Sequence, residues 1–270
     1  MPLEERAGHP TFWQVFGRGH RPALAIHCSL ASSNAWTGVA DRLGHRLTLT
    51  AFDLPGHGRS GQWQGEGDFL RETVRIAATF VDGPAAGPVD LIGHSFGAVA
   101  ALRLALAAPE AVRTLTLVEP VLFAAVRGSA AWAENAALMD RCRAAFERGD
   151  RAGAAAEFTR VWGTGVPWAD LAEREQAAIT ERIHLIDAGT PALAGDSGAI
   201  LAPGGLETLD LPVLVVRGDR SPAIIEGIAE AIAARLPEVG VATVPGAAHM
   251  VPITHPAETA GLIGVNLDRG

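Results

Sequence analysis

Short apolar segments alternate with longer stretches of helical hydrophobic spacing over most of the chain. Apolar residues that recur every three or four positions are typical of helices, and short runs rich in Val, Ile and Leu are typical of buried strands. The alternation therefore predicts a mainly parallel sheet that is covered by helices. The predicted strands are residues 23–27, 47–52, 89–92, 115–118, 213–216 and 239–244.

The alternation stops between the fourth and the fifth predicted strands. Residues 121–206 contain no convincing strand and are Ala-rich, with apolar residues at helical spacing. Ser129 and Asp150 each stand where an N-cap residue would begin a helix. We therefore expect an α/β core built from residues 1–120 and 207–270, with a helical cap inserted at residues 121–206.

Composition and charge narrow the class of protein. The 270 residues are 48% hydrophobic and 19% charged, which suits one large globular domain. The formal net charge of -8 argues against binding to nucleic acid, because phosphates require a dense surface of Lys or Arg. The charge balance thus excludes one class of partner and says little about a substrate.

The chain shows no pattern of export or of membrane insertion. Residues 1–6 lack the basic and then apolar run of a secretory signal. The longest apolar stretch is interrupted by Arg103 and stays below the ~18 residues that a spanning helix requires. Cys28 and Cys142 form neither a metal-binding spacing nor a disulfide framework, so both are predicted to be buried free thiols. We expect a cytoplasmic protein without a metal or an organic cofactor.

The strongest chemical signal is the sequence Gly-His-Ser-Phe-Gly at residues 93–97. It directly follows a predicted strand and precedes a helical run over residues 98–107, which is the context of a nucleophile elbow. So tight a turn excludes bulky neighbours, which explains the two glycines, and the helix N-terminus favours developing negative charge. We predict Ser95 as a nucleophile, and the alternative is an incidental glycine-rich turn.

A serine hydroxyl needs a base within hydrogen-bond reach before it can act as a nucleophile. His249 lies just after the last predicted strand, on a short loop before the final helix, and so at the same edge of the sheet as Ser95. His255 is the nearby rival, but it stands where a helix cap is expected. We predict His249 as the general base, and the alternative is a loop histidine with a structural role alone.

Four motifs, in this order, resemble the α/β-hydrolase family over nearly the whole chain. The segment 26–30 reads Ile-His-Cys-Ser-Leu and is similar to the oxyanion loop of that family. The segment 52–60 reads Phe-Asp-Leu-Pro-Gly-His-Gly-Arg-Ser and is similar to the turn after its next strand. Residues 93–97 and His249 complete the set. The resemblance implies an α/β-hydrolase fold, a mainly parallel central sheet flanked by helices, with a helical cap inserted.

The resemblance also implies an oxyanion hole. By analogy, the backbone N–H groups of Ser29 and Phe96 would hold the negative oxygen that develops in acyl transfer. Such a donor contributes about 3–4 kcal/mol to the stability of the transition state. The family usually has glycine after the histidine of the first motif, where this chain has Cys28. A backbone donor survives a change of side chain, so Cys28 is expected to alter the shape of the loop more than its chemistry.

Two carboxylates compete for the role of orienting His249. Many relatives place an aspartate at the position of Ser221, whereas a serine followed by Pro222 is an expected helix start. Asp219 stands two residues before that position. Glu119 ends the strand after the nucleophile's helix, where some haloalkane dehalogenases take their acid. A buried glutamate requires a partner and a histidine N–H is a fitting one, so Glu119 is preferred and Asp219 is the alternative.

Together these residues imply a serine hydrolase that acts on a small molecule. Serine rather than aspartate at position 95 argues against dehalogenase and epoxide-hydrolase chemistry, which in this family needs a carboxylate nucleophile. The aromatic residues of the cap predict an apolar pocket, so the expected substrate is a small or medium apolar carboxylic ester. A carbon–carbon bond hydrolase of ring-cleavage products, a perhydrolase-like enzyme and a slow-turnover binding protein of the same fold are alternatives.

Overall fold

Eight strands form one sheet in the computed structural model, which describes residues 3–81 and 87–270. In chain order they are β1 (Leu3–Arg6), β2 (His9–Phe16), β3 (Arg21–Ile26), β4 (Leu47–Phe52), β5 (Val89–His94), β6 (Val112–Val118), β7 (Val213–Gly218) and β8 (Val239–Val244). Their spatial order is β1-β2-β4-β3-β5-β6-β7-β8. The two pairs that include β2 are antiparallel, and all other pairs are parallel. The predicted mainly parallel sheet is confirmed.

The six predicted strands are found as β3 to β8, and the two strands that were not predicted lie at one edge of the sheet. The sequence of β1 is Leu-Glu-Glu-Arg, and most of this strand is exposed. The second strand, β2, contains Pro10 and is buried over only part of its length. Strands at or next to a sheet edge that are only partly buried lack the continuous apolar run that marks a strand buried on both faces.

Helices cover the sheet and fill the long connection between β6 and β7. In chain order they are α1 (Thr37–Leu43), α2 (Phe69–Ala78), α3 (Phe96–Ala107), α4 (Ala130–Glu147), α5 (Arg151–Trp162), α6 (Glu173–Arg182), α7 (Leu185–Leu193), α8 (Ala223–Ala233), α9 (Val251–Thr254) and α10 (Pro256–Leu267). The connection is described throughout and contains α4 to α7 without a strand, as its hydrophobic pattern predicts. Within the described ranges, none of the helices combines the length and the apolarity needed to cross a membrane.

The helix starts that were predicted at Ser129 and Asp150 are confirmed. The hydroxyl of Ser129 accepts a hydrogen bond from the N–H of Trp132 at 3.1 Å. The carboxylate of Asp150 accepts one from the N–H of Gly153 at 2.8 Å. Each bond satisfies a donor that the first turn of a helix leaves unpaired. The limits of the cap at residues 121 and 206 stay a prediction.

The hydrophobic core lies on both faces of the sheet. On one face, α3 and α8 pack against the strands through fully buried side chains such as Leu102 and Ile228. On the other face, Val39 of α1 and Ile263 of α10 pack against β3 and β4. Burying a side chain of this size contributes about 1.5–3 kcal/mol to stability. The strands, and the loops that follow them, are therefore held firmly in position.

The carboxyl ends of β5 to β8 lie side by side. In the register of the sheet, His94 is paired with Val118, Val118 with Val216, and Gly218 with Val244. The loops that follow these four strands therefore emerge at one edge of the sheet. In open parallel sheets, this edge is where ligand sites are built.

Candidate active site

Ser95 occupies the turn between β5 and α3 with a backbone φ of 57°. This φ is strained for a residue with a side chain, and such strain persists only where the surrounding contacts enforce it. One such contact is the hydrogen bond from the N–H of Ser95 to the main-chain oxygen of Val118, at 2.9 Å. A Cβ atom at Gly97 would collide with the main-chain oxygen of Ile26, so glycine is required there. The strand, the turn and the helix hold the hydroxyl of Ser95 at the sheet edge.

Three side chains meet at this edge in a chain of hydrogen bonds. The Oγ of Ser95 lies 2.9 Å from Nε2 of His249, and Nδ1 of His249 lies 2.9 Å from Oε2 of Glu119. A carboxylate can only accept, so Nδ1 donates to Glu119 and Nε2 of the neutral ring accepts from the hydroxyl. All three residues are buried. The structure thus brings together the preferred nucleophile, base and acid.

Glu119 follows β6 with a φ of 52° and is fully buried. Its Oε1 accepts hydrogen bonds from the N–H of Gly218 at 2.6 Å and from the hydroxyl of Ser221 at 2.7 Å. Since His249 occupies the other oxygen, both carboxylate oxygens are hydrogen-bonded, which offsets the penalty of burying a charge. The carboxylate is therefore held from two sides, and its orientation toward the imidazole is fixed.

Asp219, the alternative acid, makes a different contact. Its Oδ1 accepts a hydrogen bond from the N–H of Gly246 at 2.7 Å, which ties the loop after β7 to the loop that carries His249. The prediction that Ser221 caps a helix is wrong. The helix α8 begins two residues later without a side-chain cap, because the hydroxyl of Ser221 bonds to Glu119 instead. Ser221, at the position where many relatives have an aspartate, thus supports the acid.

The backbone N–H groups of Ser29 and Phe96 make no hydrogen bond to another group within residues 3–81 and 87–270. Phe96 is the first residue of α3, where helix N–H groups are unpaired and carry a partial positive charge. Ser29 lies in the loop after β3, where the next residue, Leu30, has a φ of 65°. Ser29 and Ser95 line the same small cavity. Two unpaired donors next to the predicted nucleophile are the arrangement that a developing oxyanion requires.

Two residues to which the motifs assign no role, His94 and Trp162, contact His249. The Nε2 of His94 lies 2.9 Å from the main-chain oxygen of His249. Burial lowers the pKa of His94 to about 3, so its ring is neutral and donates this bond. From α5, Trp162 meets the imidazole of His249 edge to face, with ring centroids 4.7 Å apart. His94 is part of the elbow motif, whereas no local pattern places Trp162 over the loop after β8.

Three adjoining cavities lie at the cap, and residues 123–194 of the cap alone line one of them. The cavity at Ser95 has a volume of about 40 Å³. A second cavity of about 230 Å³ shares Phe158 and Met250 with it, and a third of about 140 Å³ shares Phe123 and Leu193. Hydrophobic side chains dominate these walls, as in most sites for small molecules.

Cys28 lines the same small cavity as Ser95, but its thiol is poorly suited to act as a nucleophile. Burial raises the pKa of Cys28 to about 12, so the reactive thiolate is almost absent at neutral pH. Cys28 and Cys142 are both free and buried, as predicted. In the part of the chain that the structure describes, no group of three or more His, Cys, Asp or Glu side chains is placed to hold a metal ion.

A mainly parallel sheet with a strained serine after β5 and a histidine after β8 is the architecture of an α/β hydrolase. A model of the alpha/beta hydrolase family matches residues 23–262, which is most of the sequence. The chain belongs to this family, and the resemblance inferred from the four motifs is confirmed.

Curated proteins with 35% sequence identity match only part of the chain. The identity is 35% over 107 residues to the dihydrolipoyllysine-residue acetyltransferase component of the acetoin cleaving system of Cupriavidus necator, covering 40% of this chain and 28% of that protein. It is 35% over 104 residues to Lipase LipV of Mycobacterium tuberculosis, covering 38% of this chain and 39% of the lipase. The chain thus spans less than half the length of these curated relatives.

A solved structure extends the comparison to nearly the whole fold. The 2-hydroxy-6-oxo-6-phenylhexa-2,4-dienoate hydrolase of a Rhodococcus species has a TM-score of 0.77 and 16% identity, covering 96% of this chain and 95% of that chain. At this level of identity the likeness establishes the fold alone.

Proposed function

We propose that this chain is a serine hydrolase that cleaves carboxylic esters of small to medium apolar compounds through an acyl-enzyme. The observation that carries the proposal is the hydrogen-bond chain from Ser95 through His249 to Glu119, with both distances at 2.9 Å. A serine hydroxyl is activated when it donates to an imidazole whose other nitrogen is held by a buried carboxylate. Membership of the family and the partial match to a lipase support the same chemistry.

In the first half of the reaction, the Oγ of Ser95 attacks the ester carbonyl and its proton passes to Nε2 of His249. The carbonyl oxygen becomes an oxyanion, which the N–H groups of Ser29 and Phe96 stabilise. The imidazolium then gives its proton to the leaving oxygen, the C–O bond breaks, and an alcohol departs from the acyl-enzyme. Glu119 stays ionised throughout and stabilises the imidazolium through Nδ1–H.

In the second half, water takes the place of the alcohol. His249 accepts a proton from the water as its oxygen attacks the acyl carbonyl, and the same two N–H groups hold the oxyanion. The proton on Nε2 then returns to the Oγ of Ser95 as the bond between serine and the acyl group breaks. One ester and one water thus give one carboxylic acid and one alcohol, and the enzyme is restored.

The cavities beside Ser95 support an apolar substrate. Phe123, Phe158 and Trp162 contribute aromatic walls to the cavity at the nucleophile. Contact with these rings removes apolar surface of the substrate from water, which contributes about 25 cal/mol for each Å² buried. Chain length is therefore expected to affect KM more than kcat, because the distal part of an acyl chain does not take part in bond breaking.

The test is multiple-turnover hydrolysis of p-nitrophenyl esters from acetate to laurate. The Ser95→Ala variant should lose turnover by a factor of at least about 10³, since the remaining groups cannot form an acyl-enzyme. Ser197→Ala is the matched control, because Ser197 is exposed and lines none of the three cavities. It should keep the wild-type rate.

Other outcomes would contradict the proposal in different ways. Turnover that survives Ser95→Ala would mean that another group carries the chemistry. Cleavage of a carbon–carbon bond in a ring-cleavage diketone, without hydrolysis of any ester, would establish the alternative hydrolase. A single slow turnover with retained product would establish a binding protein of the same fold.

A further inference from the structure

A groove of about 720 Å³ lies next to the active-site cavities, between the core and α6. It shares Leu30 and Ile253 with the cavity of about 230 Å³. That cavity in turn shares Ser29 and Trp162 with the cavity at Ser95. The cavity at Ser95, the intermediate cavity and the groove therefore adjoin one another in this order.

Two arginines from separate parts of the fold line this groove. Arg59 belongs to the loop after β4, and Arg182 ends α6 in the cap. Among the described residues, neither guanidinium has a carboxylate within ion-pair distance. By contrast, the cap arginines Arg141 and Arg160 both pair with Glu157. The groove therefore contains two guanidinium groups that form no ion pair with an acidic side chain of the described residues.

Both guanidinium groups have contacts that leave donors for a ligand. The guanidinium carbon of Arg59 lies 4.2 Å from the ring centroid of Phe12, so its flat face is stacked while its edge is open to hydrogen bonding. Arg182 donates from Nη1 to the main-chain oxygen of Ala178 in its own helix, at a long 3.4 Å. An arginine has five N–H donors, so most of them are available on each side chain.

One buried carboxylate, that of Asp53, also lines the groove and leaves one of the two arginine charges in excess. The carboxylate of Asp53 is already held by the backbone, since it accepts from the N–H groups of Ser33 at 2.6 Å and Arg59 at 2.8 Å. Burial is the main reason why the pKa of His57 falls to about 3, and the positive charge of Arg182 contributes to the same lowering. The charge of Arg182 thus acts on the residue that directly precedes Gly58 and Arg59 of the groove.

We infer that this groove binds the anionic end, a carboxylate or a phosphate, of the substrate that Ser95 cleaves. The inference rests on the proposed ester hydrolysis and narrows its substrate to an amphipathic ester with an apolar middle and an anion at the far end. Guanidinium groups suit such a ligand because their planar forks bind carboxylate and phosphate oxygens in pairs. In a chain with a net charge of -8, the groove is a local site of attraction for an anion.

The probes are straight-chain alkylboronic acids, whose boron forms a reversible bond with a serine Oγ. One series carries a terminal carboxylate and the other carries the neutral carboxamide of the same size. Dissociation constants are measured by calorimetry for increasing chain lengths, with wild type, Arg59→Gln, Arg182→Gln and the double variant. Melting temperatures verify that each variant is folded.

Once the alkyl chain of the boronic acid is long enough to reach the groove, the wild-type protein should bind the carboxylate-tipped probe more tightly than the carboxamide-tipped probe. Each arginine should contribute about three- to fivefold to this preference, the range of a partly exposed ion pair. The preference should weaken at high salt and should disappear in the double variant. A terminal phosphonate distinguishes the two sources of the anion, because a stronger preference for it than for the carboxylate identifies a phosphate ligand.

Arg174→Gln is the matched control, since it removes the same charge from α6 at an exposed position outside the groove. This variant should keep the wild-type preference. A preference that is absent at every chain length, or that Arg174→Gln abolishes as well, would overturn the anion site and leave the hydrolase intact. If boronic acids with neutral tips also fail to bind, the proposed hydrolase fails, and the anion site fails with it.

Discussion

Replacing Glu119 by Gln should abolish most of the turnover while it leaves the fold intact. The oxygen of a glutamine side chain can still accept the bonds that Oε1 now accepts from Gly218 at 2.6 Å and from Ser221 at 2.7 Å. Its amide nitrogen then takes the place of Oε2, opposite Nδ1 of His249. Because this nitrogen donates, it favours the tautomer in which Nδ1 has no proton. The proton then resides on Nε2, which can no longer accept one from Ser95.

The expected magnitude follows from two losses at the same 2.9 Å contact. The base is held in the wrong tautomer, and the imidazolium formed during the reaction loses its negative partner in a buried site. In serine hydrolases with a buried carboxylate on the histidine, removal of the charge alone lowers kcat about 10⁴-fold, or about 5.5 kcal/mol in activation free energy. We expect a loss of this order in kcat and little change in KM, since Glu119 does not contact the substrate.

The assay is steady-state hydrolysis of the best p-nitrophenyl ester. Asp219→Asn is the matched control, because its side-chain oxygen can keep the bond to Gly246 and the variant should retain wild-type kcat. A second variant combines Ser221→Asp with Glu119→Gln. It should restore part of the turnover, because residue 221 contacts the side chain of residue 119 and can place a new carboxylate near His249. Full activity of Glu119→Gln together with inactive Asp219→Asn would refute the reasoning.

Three further predictions concern buried groups that take no part in the proposed bond-breaking step. Cys28, whose pKa burial raises to about 12, should resist iodoacetamide in the folded protein and react after unfolding; rapid labelling of the folded protein, seen by mass spectrometry, would contradict this. Burial lowers the pKa of His57 from 6.5 to about 3, so between these values only the unfolded chain binds the proton. The free energy of unfolding should therefore be unaffected by this group above pH 6.5 and fall below it, by about 1.4 kcal/mol per pH unit. Urea denaturation of His57→Phe should show a shallower slope over that range, and an unchanged slope would count against the assignment. Asp90→Ala removes a buried carboxylate that binds Arg21 at 2.8 Å and Arg113 at 3.0 Å. It should lower the free energy of unfolding by about 3 kcal/mol, whereas a loss below about 1 kcal/mol in urea denaturation would mean that water replaces the carboxylate at little penalty.

The predictability of the strands follows from where each one lies in the sheet. The central strands β3 to β7 were predictable because burial on both faces demands continuous apolar residues, which appear as local runs. The partly exposed edge strand β8 was predictable from its three valines, since β-branched residues favour strands. The edge strand β1 was not predictable, since Glu4 and Glu5 face water and only backbone pairing with β2 makes the segment a strand. Helix starts at Ser129 and Asp150 were predictable because a cap is a contact within four residues.

The features of the candidate site also differ in whether the local sequence predicts them. The tight turn at Ser95 requires glycine at positions 93 and 97, and this requirement is visible in the local sequence. The contact between Glu119 and His249 spans 130 residues, so no local pattern shows it. The preference for Glu119 over Asp219 rested on a resemblance and on the need of a buried carboxylate for a partner. The local sequence Ser221-Pro222 predicts a helix cap, whereas the hydroxyl of Ser221 bonds to Glu119. The local sequence contains no information about Glu119, because this residue follows a strand that is distant in the chain.

By itself, then, the sequence determined the positions of six of the eight strands, the tight turn that carries Ser95 and the position of a histidine after the last strand. These depend on backbone geometry and periodicity over a few residues. The tertiary structure decided which carboxylate meets His249, that Trp162 of the cap lies against the imidazole, and that Arg59 and Arg182 line one groove. The physical reason is that such contacts are set by the packing of strands and helices that are distant in the chain, and no local pattern of residues encodes the distance between them.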